Sequence, residues 1–433
     1  MSWTERVFKL QDHGTTVRTE IIAGVTTFLT MAYIIFVNPS ILGDAGMPKD
    51  SVFVATCLIA ALGTAVMALY ANYPIALAPG MGLNAYFAYT VVLGMGFPWQ
   101  AALGAVFISG CLFMAVTLFG LRGLIIRGIP QSLRNAITVG IGLFLALIAL
   151  KSAGIVAPSK ATYITLGDLH SAPVVLASLG FLLIVALDKF RVPGAILIGI
   201  IAVTIASFFF GGNQFHGVFD TPPSIEPTFL KLDIKSALSH GFLNVVLVFF
   251  LVELFDATGT LMGVAKRAGL LVPGRMERLN KSLLADSVAI FAGSLLGTSS
   301  TTAYVESAAG VQAGGRTGLT ALTVAVLFLA ALFIAPLAGA VPAYATAPAL
   351  FFVACLMLRE LTELDWDDST EVVPAAITAL MMPFTYSIAN GLAFGFISYA
   401  GIKLLTGRAR EAHWMVWIIA AIFLFKFIYV GGD

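Results

Sequence analysis

The sequence predicts an all-α polytopic membrane protein of fourteen transmembrane segments, arranged as two inverted repeats of seven, with short extended strands in broken segments 3 and 10. Three observations carry that prediction. Of 433 residues, 59% are hydrophobic and 11% charged, where soluble domains carry about 25% charged residues. Apolar runs of spanning length recur along the chain. The arginines collect in alternate loops, the bias expected of a cytosolic face.

Residues 1–19 carry Glu5, Arg6, Lys9, Asp12 and Arg18 ahead of the first apolar run, unlike a signal peptide, and are expected to form a cytosolic lead-in. The first repeat, 20–211, has apolar runs at about 20–42, 51–71, 99–120, 135–151, 172–187 and 192–211, with a broken segment after the second. Residues 212–236, holding Pro222, Pro223 and Pro227, read as the connector. The second repeat, 237–410, has runs at about 242–265, 282–297, 317–341, 343–358, 371–387 and 389–406, again broken after the second. The C-terminal apolar segment, 411–433, contains Lys426 and fits either a span or an interfacial helix.

With the N-terminus in the cytosol, all thirteen arginines fall on the inner side, among them Arg134, Arg191, Arg278, Arg316, Arg359 and Arg408. The outer loops keep only lysines: Lys49, Lys151, Lys160, Lys231 and Lys235. An odd number of spans per half inserts the halves upside down relative to each other. The broken segments lie about 220 residues apart, near half the chain, as expected of inverted repeats.

The polar centre of the pattern is Leu247–Lys266, where Glu253, Asp256 and Thr260 share one helical face. An ionisable group at mid-membrane costs about 2.5–3.5 kcal/mol on insertion scales, so two within one turn point to a site for a polar solute or ion. In the first broken segment, Tyr73–Val92, Pro74, Pro79, Gly80 and Gly82 forbid one continuous helix; an extended Ile75–Ala78 followed by a helix from about Pro79 is expected. In the second, Thr298–Gly310, the hydroxyl run Thr298–Thr302 is expected to supply a strand and an N-cap, with Glu306 in the early turns of a short helix. Such backbone is tolerated at membrane depth only inside protein or against water. Two half-helix starts then face one gap, with Asn84 from one repeat, Glu306 from the other, and Glu253 beside them.

Each of these residues also has a plainer role. Gly80 and Gly82 serve helix packing as readily as a site. Glu306 also suits an ion pair with Arg316. Asp256 and Asp286 suit bracing of half-helix backbone. Tyr33, Tyr86, Phe87 and Tyr304 suit either packing or stacking on a planar solute.

Other classes are disfavoured. A net charge of +1 without a basic stripe gives no case for nucleic acid. Cys57, Cys111 and Cys355 are isolated in apolar runs, and His13, His170, His216, His240 and His413 are scattered, so no metal set is expected. Gly314–Gly318 lacks the lysine and spacing of a phosphate loop, so uphill transport would draw on an ion gradient. An anion carrier on the same architecture would face two carboxylates in its pocket. An intramembrane aspartyl protease using Asp256 and Asp286 lacks a Gly-x-Gly-Asp pattern.

Five motifs in order resemble a known family: TTFLTMAYIIFVNP (Thr26–Pro39), APGMGLNAYF (Ala78–Phe87), FDATGTL (Phe255–Leu261), TSSTTAYVESAAGVQAGGRTGLTA (Thr298–Ala321) and MMPFTYSIANG (Met381–Gly391). They resemble the AzgA-like purine nucleobase permeases (adenine, guanine and hypoxanthine) of the nucleobase-cation symporter 2 family. The resemblance spans nearly the whole chain. It implies a core domain of segments one to four and eight to eleven, and a gate domain, often the dimer contact, of the rest. It maps binding residues onto Asn84, Glu253, Asp256 and Glu306. The position of Glu253 is often Asp in the family, or Asn in some adenine carriers, and uracil-type relatives carry a His where this chain has Ala257.

The expectation is therefore proton-coupled import of a purine base across the cell inner membrane, with no cofactor beyond the proton gradient. Glu253 would accept ring and amino N–H groups. Glu306 would bind the other edge and carry the coupling proton, with Glu253 as the second candidate. Asn84 and the amides of Ala85 and Ala303 would serve the base's acceptors, with Asp256, Gly80, Gly82, Thr260, Thr302 and Asp286 in support. Because a carboxylate only accepts hydrogen bonds, guanine and hypoxanthine suit it better than adenine.

Overall fold

The computed structural model describes residues 3–120, 125, 128–210, 217–238, 243–267, 271–272, 275–276 and 278–429. His216 and His240 lie outside the described residues. Among these, ten helices are long and apolar enough to cross a membrane, from Val17–Asp44 to Ile388–Leu405. Three shorter apolar helices, Ala195–Phe210, Ser369–Phe384 and Trp414–Ile428, accompany them. Each apolar run predicted from the sequence is occupied by one of these helices.

One span is interrupted, and another helix runs on through two prolines. The first consists of Val17–Met31 and Ile34–Asp44, joined at Ala32 and Tyr33. The Ile35 amide there bonds the Ala32 carbonyl at 3.1 Å, three residues back instead of four. The helix Ser369–Phe384 contains Pro374 and Pro383, each of which removes an amide from the ladder. Helix ends are tied by side chains: Thr16, Thr317, Asp368 and Ser387 each accept from an amide of the helix they start.

Both broken segments contain strands, displaced from their expected places. The first strand is Leu77–Pro79, not Ile75–Ala78, and its helix starts at Met81 after Gly80. The second is only Thr301–Ala303, although the hydroxyl run starts at Thr298. The cap of the following helix, Ser307–Gln312, is Glu306 and not a hydroxyl residue. The physical reason is that strand limits are set by the partner across the pair, which local composition does not contain. Two further hairpins escaped the sequence reading, Val156–Ser159 with Tyr163–Leu166 and Leu271–Val272 with Arg275–Met276, because both are short loop ribbons.

The connector is pinned to the ends of several spans. Ser51 Oγ donates to the Ser224 carbonyl, Leu230 N to Leu295 O, and Asp233 N to Gln100 O. Gly104 makes the last contact close: a Cβ there would meet the Asp233 carbonyl oxygen. A short helix, Ile234–Ala237, bridges the expected boundary with the second half.

Candidate functional site

The two broken segments meet as an antiparallel pair with register Leu77↔Ala303, Ala78↔Thr302 and Pro79↔Thr301. The pairing continues through Gly80 N to Ser300 O at 2.9 Å and Tyr304 N to Ala76 O at 3.0 Å. Every buried backbone polar group needs a partner, and side chains complete the set. Thr64 Oγ1 accepts from Leu77 N at 2.9 Å and donates to Leu77 O at 3.0 Å. Ser307 Oγ accepts from Ala76 N, and Tyr304 Oη donates to Pro79 O at 2.6 Å. The two glycines permit close approach. A Cβ on Gly80 would lie 2.9 Å from Thr302 Cγ2, and one on Gly82 would lie 2.5 Å from Ile141 Cγ2.

Asn84 sits one turn into the helix Met81–Ala85, fully buried, with its amide on the Gly80 carbonyl. Its Oδ1 accepts from Ser299 Oγ, while Nδ2 has no partner among the described residues. A buried amide donor without a partner is costly unless a ligand or water takes it. Ala85 lies inside the helix, where the α-helical ladder engages its amide. The amides left open by helix geometry are those of Met81, Gly82 and Leu83. Ala303 belongs to a pair that exchanges no hydrogen bonds, so its amide points away from the first strand.

The carboxylates differ in surroundings. Glu253 is 1% exposed, and its Oε2 accepts from Ser109 Oγ at 2.7 Å. Asp256 is half-buried beside the Thr302 hydroxyl, and Thr260 remains partly accessible one turn on. Glu306 is half-buried too, and its Oε1 accepts from Tyr33 Oη. Asp286 is fully buried in the helix Leu279–Leu296. Glu306 is not the partner of Arg316, whose Nη1 donates to the carbonyls of Val311 and Gly315 at 2.7 and 2.8 Å.

Parts of the surrounding backbone are accessible. Val305, two residues past the second strand, is 50% exposed. Among the described residues, no atom would lie within 4 Å of a Cβ on Gly259 or Gly263. Asp256, Thr260 and Glu306 are partly accessible, while Glu253 and Asn84 are buried.

Sequence reasoning missed Ser109 and the use of Ser299. Ser109 was legible as the lone hydroxyl in Val106–Met114, but nothing local joined it to Glu253. For Tyr33 the sequence suggests only stacking or packing.

The chain matches the Permease family of xanthine/uracil permeases over residues 18–394. The chain belongs to the xanthine/uracil permease family. A putative permease of Methanocaldococcus jannaschii is 52% identical, with all of both chains covered. The adenine permease AdeP of Escherichia coli is 48% identical over 99% of this chain and 96% of its own. The guanine/hypoxanthine permease PbuO of Bacillus subtilis is 46% identical over 97% and 99%. Among solved structures, the transmembrane domain of a cyanobacterial bicarbonate transporter, BicA, superposes with a TM-score of 0.63 at 18% identity. That superposition covers 87% of the permease and 97% of the other chain, and it establishes a shared fold. The permease is thus a multi-pass membrane transporter and not an enzyme.

Proposed function

We propose that this permease imports purine nucleobases by proton symport, through alternating access around the crossing of its two short strands. The observation that carries the reading is the set of groups at that crossing: the donor Asn84 Nδ2 and three carboxylates, Glu253, Asp256 and Glu306. A purine base offers both N–H donors and ring or carbonyl acceptors, which this set complements. Relatives named as adenine permeases and as guanine/hypoxanthine permeases lie within a few points of identity, supporting a purine without choosing one. The choice rests on chemistry: carboxylates accept the ring N–H of hypoxanthine or the N–H pair of guanine.

In this proposal Glu253 and Glu306 receive the N–H edges, Asn84 meets an acceptor, and Glu306 carries the coupling proton. Asp256 lines the accessible side with Thr302. Fourteen segments in two inverted repeats, a core and a gate domain, a homodimer through the gate domain, an inner-membrane location and a cytosolic N-terminus belong to the same reading. The antiparallel strand pair supports the repeats, since equivalent segments inserted upside down meet antiparallel.

At one end of the molecule Tyr89 of the expected core meets Tyr386 of the expected gate. Tyr89 Oη donates to Asp44 Oδ2 at 2.8 Å, its ring lies 6.4 Å from that of Tyr386, and Lys151 Nζ lies 5.5 Å over the Tyr386 ring. With no described atom near a Cβ on Gly259 or Gly263, toward the Arg267 end of the helix Leu243–Arg267, this arrangement fits an inward-facing state.

An anion solute on the same fold would meet three carboxylates, so the likeness to a bicarbonate transporter does not favour it. The test is uptake of labelled hypoxanthine, guanine and adenine in cells lacking their own carriers, with and without a protonophore. Saturable, protonophore-sensitive uptake abolished by Glu253→Ala is expected. No uptake of any base by correctly inserted wild-type protein would overturn the reading.

A further inference from the structure

Tyr33 lies at the join between the two helices of the first span, where the backbone passes through a turn. It is 1% exposed, and its hydroxyl donates to Glu306 Oε1 across 273 residues of chain. Thr30 Oγ1 of the same span also comes within 3.5 Å of the Glu306 carbonyl, although its proton goes to the nearer Thr27 carbonyl at 2.8 Å. The other groups facing Glu306 are Tyr304 and Asp256. Tyr304 has committed its hydroxyl to Pro79 O, and Asp256 lies beside Thr302. Apart from the backbone of Glu306 itself, Tyr33 is thus the donor to this carboxylate among the described residues.

We propose that Tyr33 is the positioning residue through which the first span reads the proton on Glu306. The inference rests on the symport reading above. A phenol donating to an ionised carboxylate makes a charge-assisted bond, about twice as strong as a neutral one. When Glu306 takes a proton from water, one carboxyl O–H forms and the negative charge disappears. The phenol keeps its own proton and now faces a weaker acceptor. The span is already interrupted at Ala32 and Tyr33, so the hold is loosened where the helix has least backbone continuity. Protonation at the substrate site is thereby converted into freedom of the first span to move.

Packing alone would also place a tyrosine here, since its ring lies 6.4 Å from that of Tyr304. Tyr33→Phe keeps the ring and removes only the hydroxyl, which separates the two roles. In proteoliposomes enclosing a pH-sensitive dye, labelled hypoxanthine and adenine uptake and base-driven proton entry are measured together across a pH series. For Tyr33→Phe the half-saturating proton concentration is expected to fall about tenfold, the worth of one charge-assisted hydrogen bond. The KM at saturating protons should stay within about twofold, since the base contacts remain. A fluorinated tyrosine at position 33, a stronger donor of nearly the same shape, should move the profile the opposite way. Superimposable pH profiles for wild type and Tyr33→Phe, or shifts of the same sign for both variants, would overturn the proposal. A wild type that transports no base would instead remove the symport reading, and this inference with it.

Discussion

Glu20 offers the sharpest test of how this fold is held. Its side chain is fully buried at the start of the first span, and it accepts from four donors near the start of the helix Gly318–Ala331. These are Arg316 N at 2.8 Å, Thr317 N and Thr320 N at 3.2 Å, and Thr320 Oγ1 at 2.6 Å. Three of the four are backbone amides, so the carboxylate caps a distant helix and does not need the arginine's charge. In Glu20→Gln the remaining oxygen can keep the three donors on Oε2, while the amide NH2 that replaces Oε1 faces Arg316 N, so two buried donors, that backbone amide and the new NH2, lack an acceptor. At about 1–3 kcal/mol per orphaned buried group, the loss is about 2–6 kcal/mol. Arg316→Ala keeps its amide and removes only the Nη1 bonds to Val311 O and Gly315 O, for about 1–2 kcal/mol. Thermal unfolding in nanodiscs should show Glu20→Gln melting several degrees below wild type and below Arg316→Ala. A Glu20→Gln variant that melts with wild type, or above Arg316→Ala, would refute the capping account and favour a simple ion pair.

Two further outcomes are expected. With Cys57, Cys111 and Cys355 replaced, Tyr89→Cys with Tyr386→Cys should be joined by a short thiol crosslinker, and uptake should stop until the link is cleaved. Wild-type rates in the linked protein would show that this end need not open. At the ends of the last two helices of the second half, the Thr370 hydroxyl and Arg408 hold the Asp368 carboxyl down to about 2. A carboxylate depressed in the folded state stabilises fully above its unfolded value, about 3.9, and that stabilisation is lost as pH falls through the folded value. Wild type should therefore lose more melting temperature than Asp368→Asn as pH drops from about 4 toward about 2; parallel curves would remove Asp368 from the account.

The positions of the spans and of their two breaks were legible in residue order because the bilayer imposes a local rule. Backbone in hydrocarbon must satisfy itself, so an apolar run of sufficient length becomes helix, and Pro74, Pro79, Gly80 and Gly82 mark where it cannot. Asn84, Glu253, Asp256 and Glu306 stood out for the same reason, as polar groups where polarity is expensive. Family membership was legible too, since five ordered motifs are themselves sequence.

Tertiary structure alone decided how these pieces meet. The strand limits at Leu77–Pro79 and Thr301–Ala303 follow from mutual register across more than two hundred residues, which no local signal encodes. The burial of Glu253 against Ser109 and the accessibility of Asp256, one turn away on the same face, depend on which neighbour each side chain meets. Tyr33 became a donor to Glu306, and Glu20 a cap for another helix, only once distant segments were packed together. Hydropathy and helical period report which groups are unusual in a membrane. Their partners are chosen by packing, and partners determine what those groups can do.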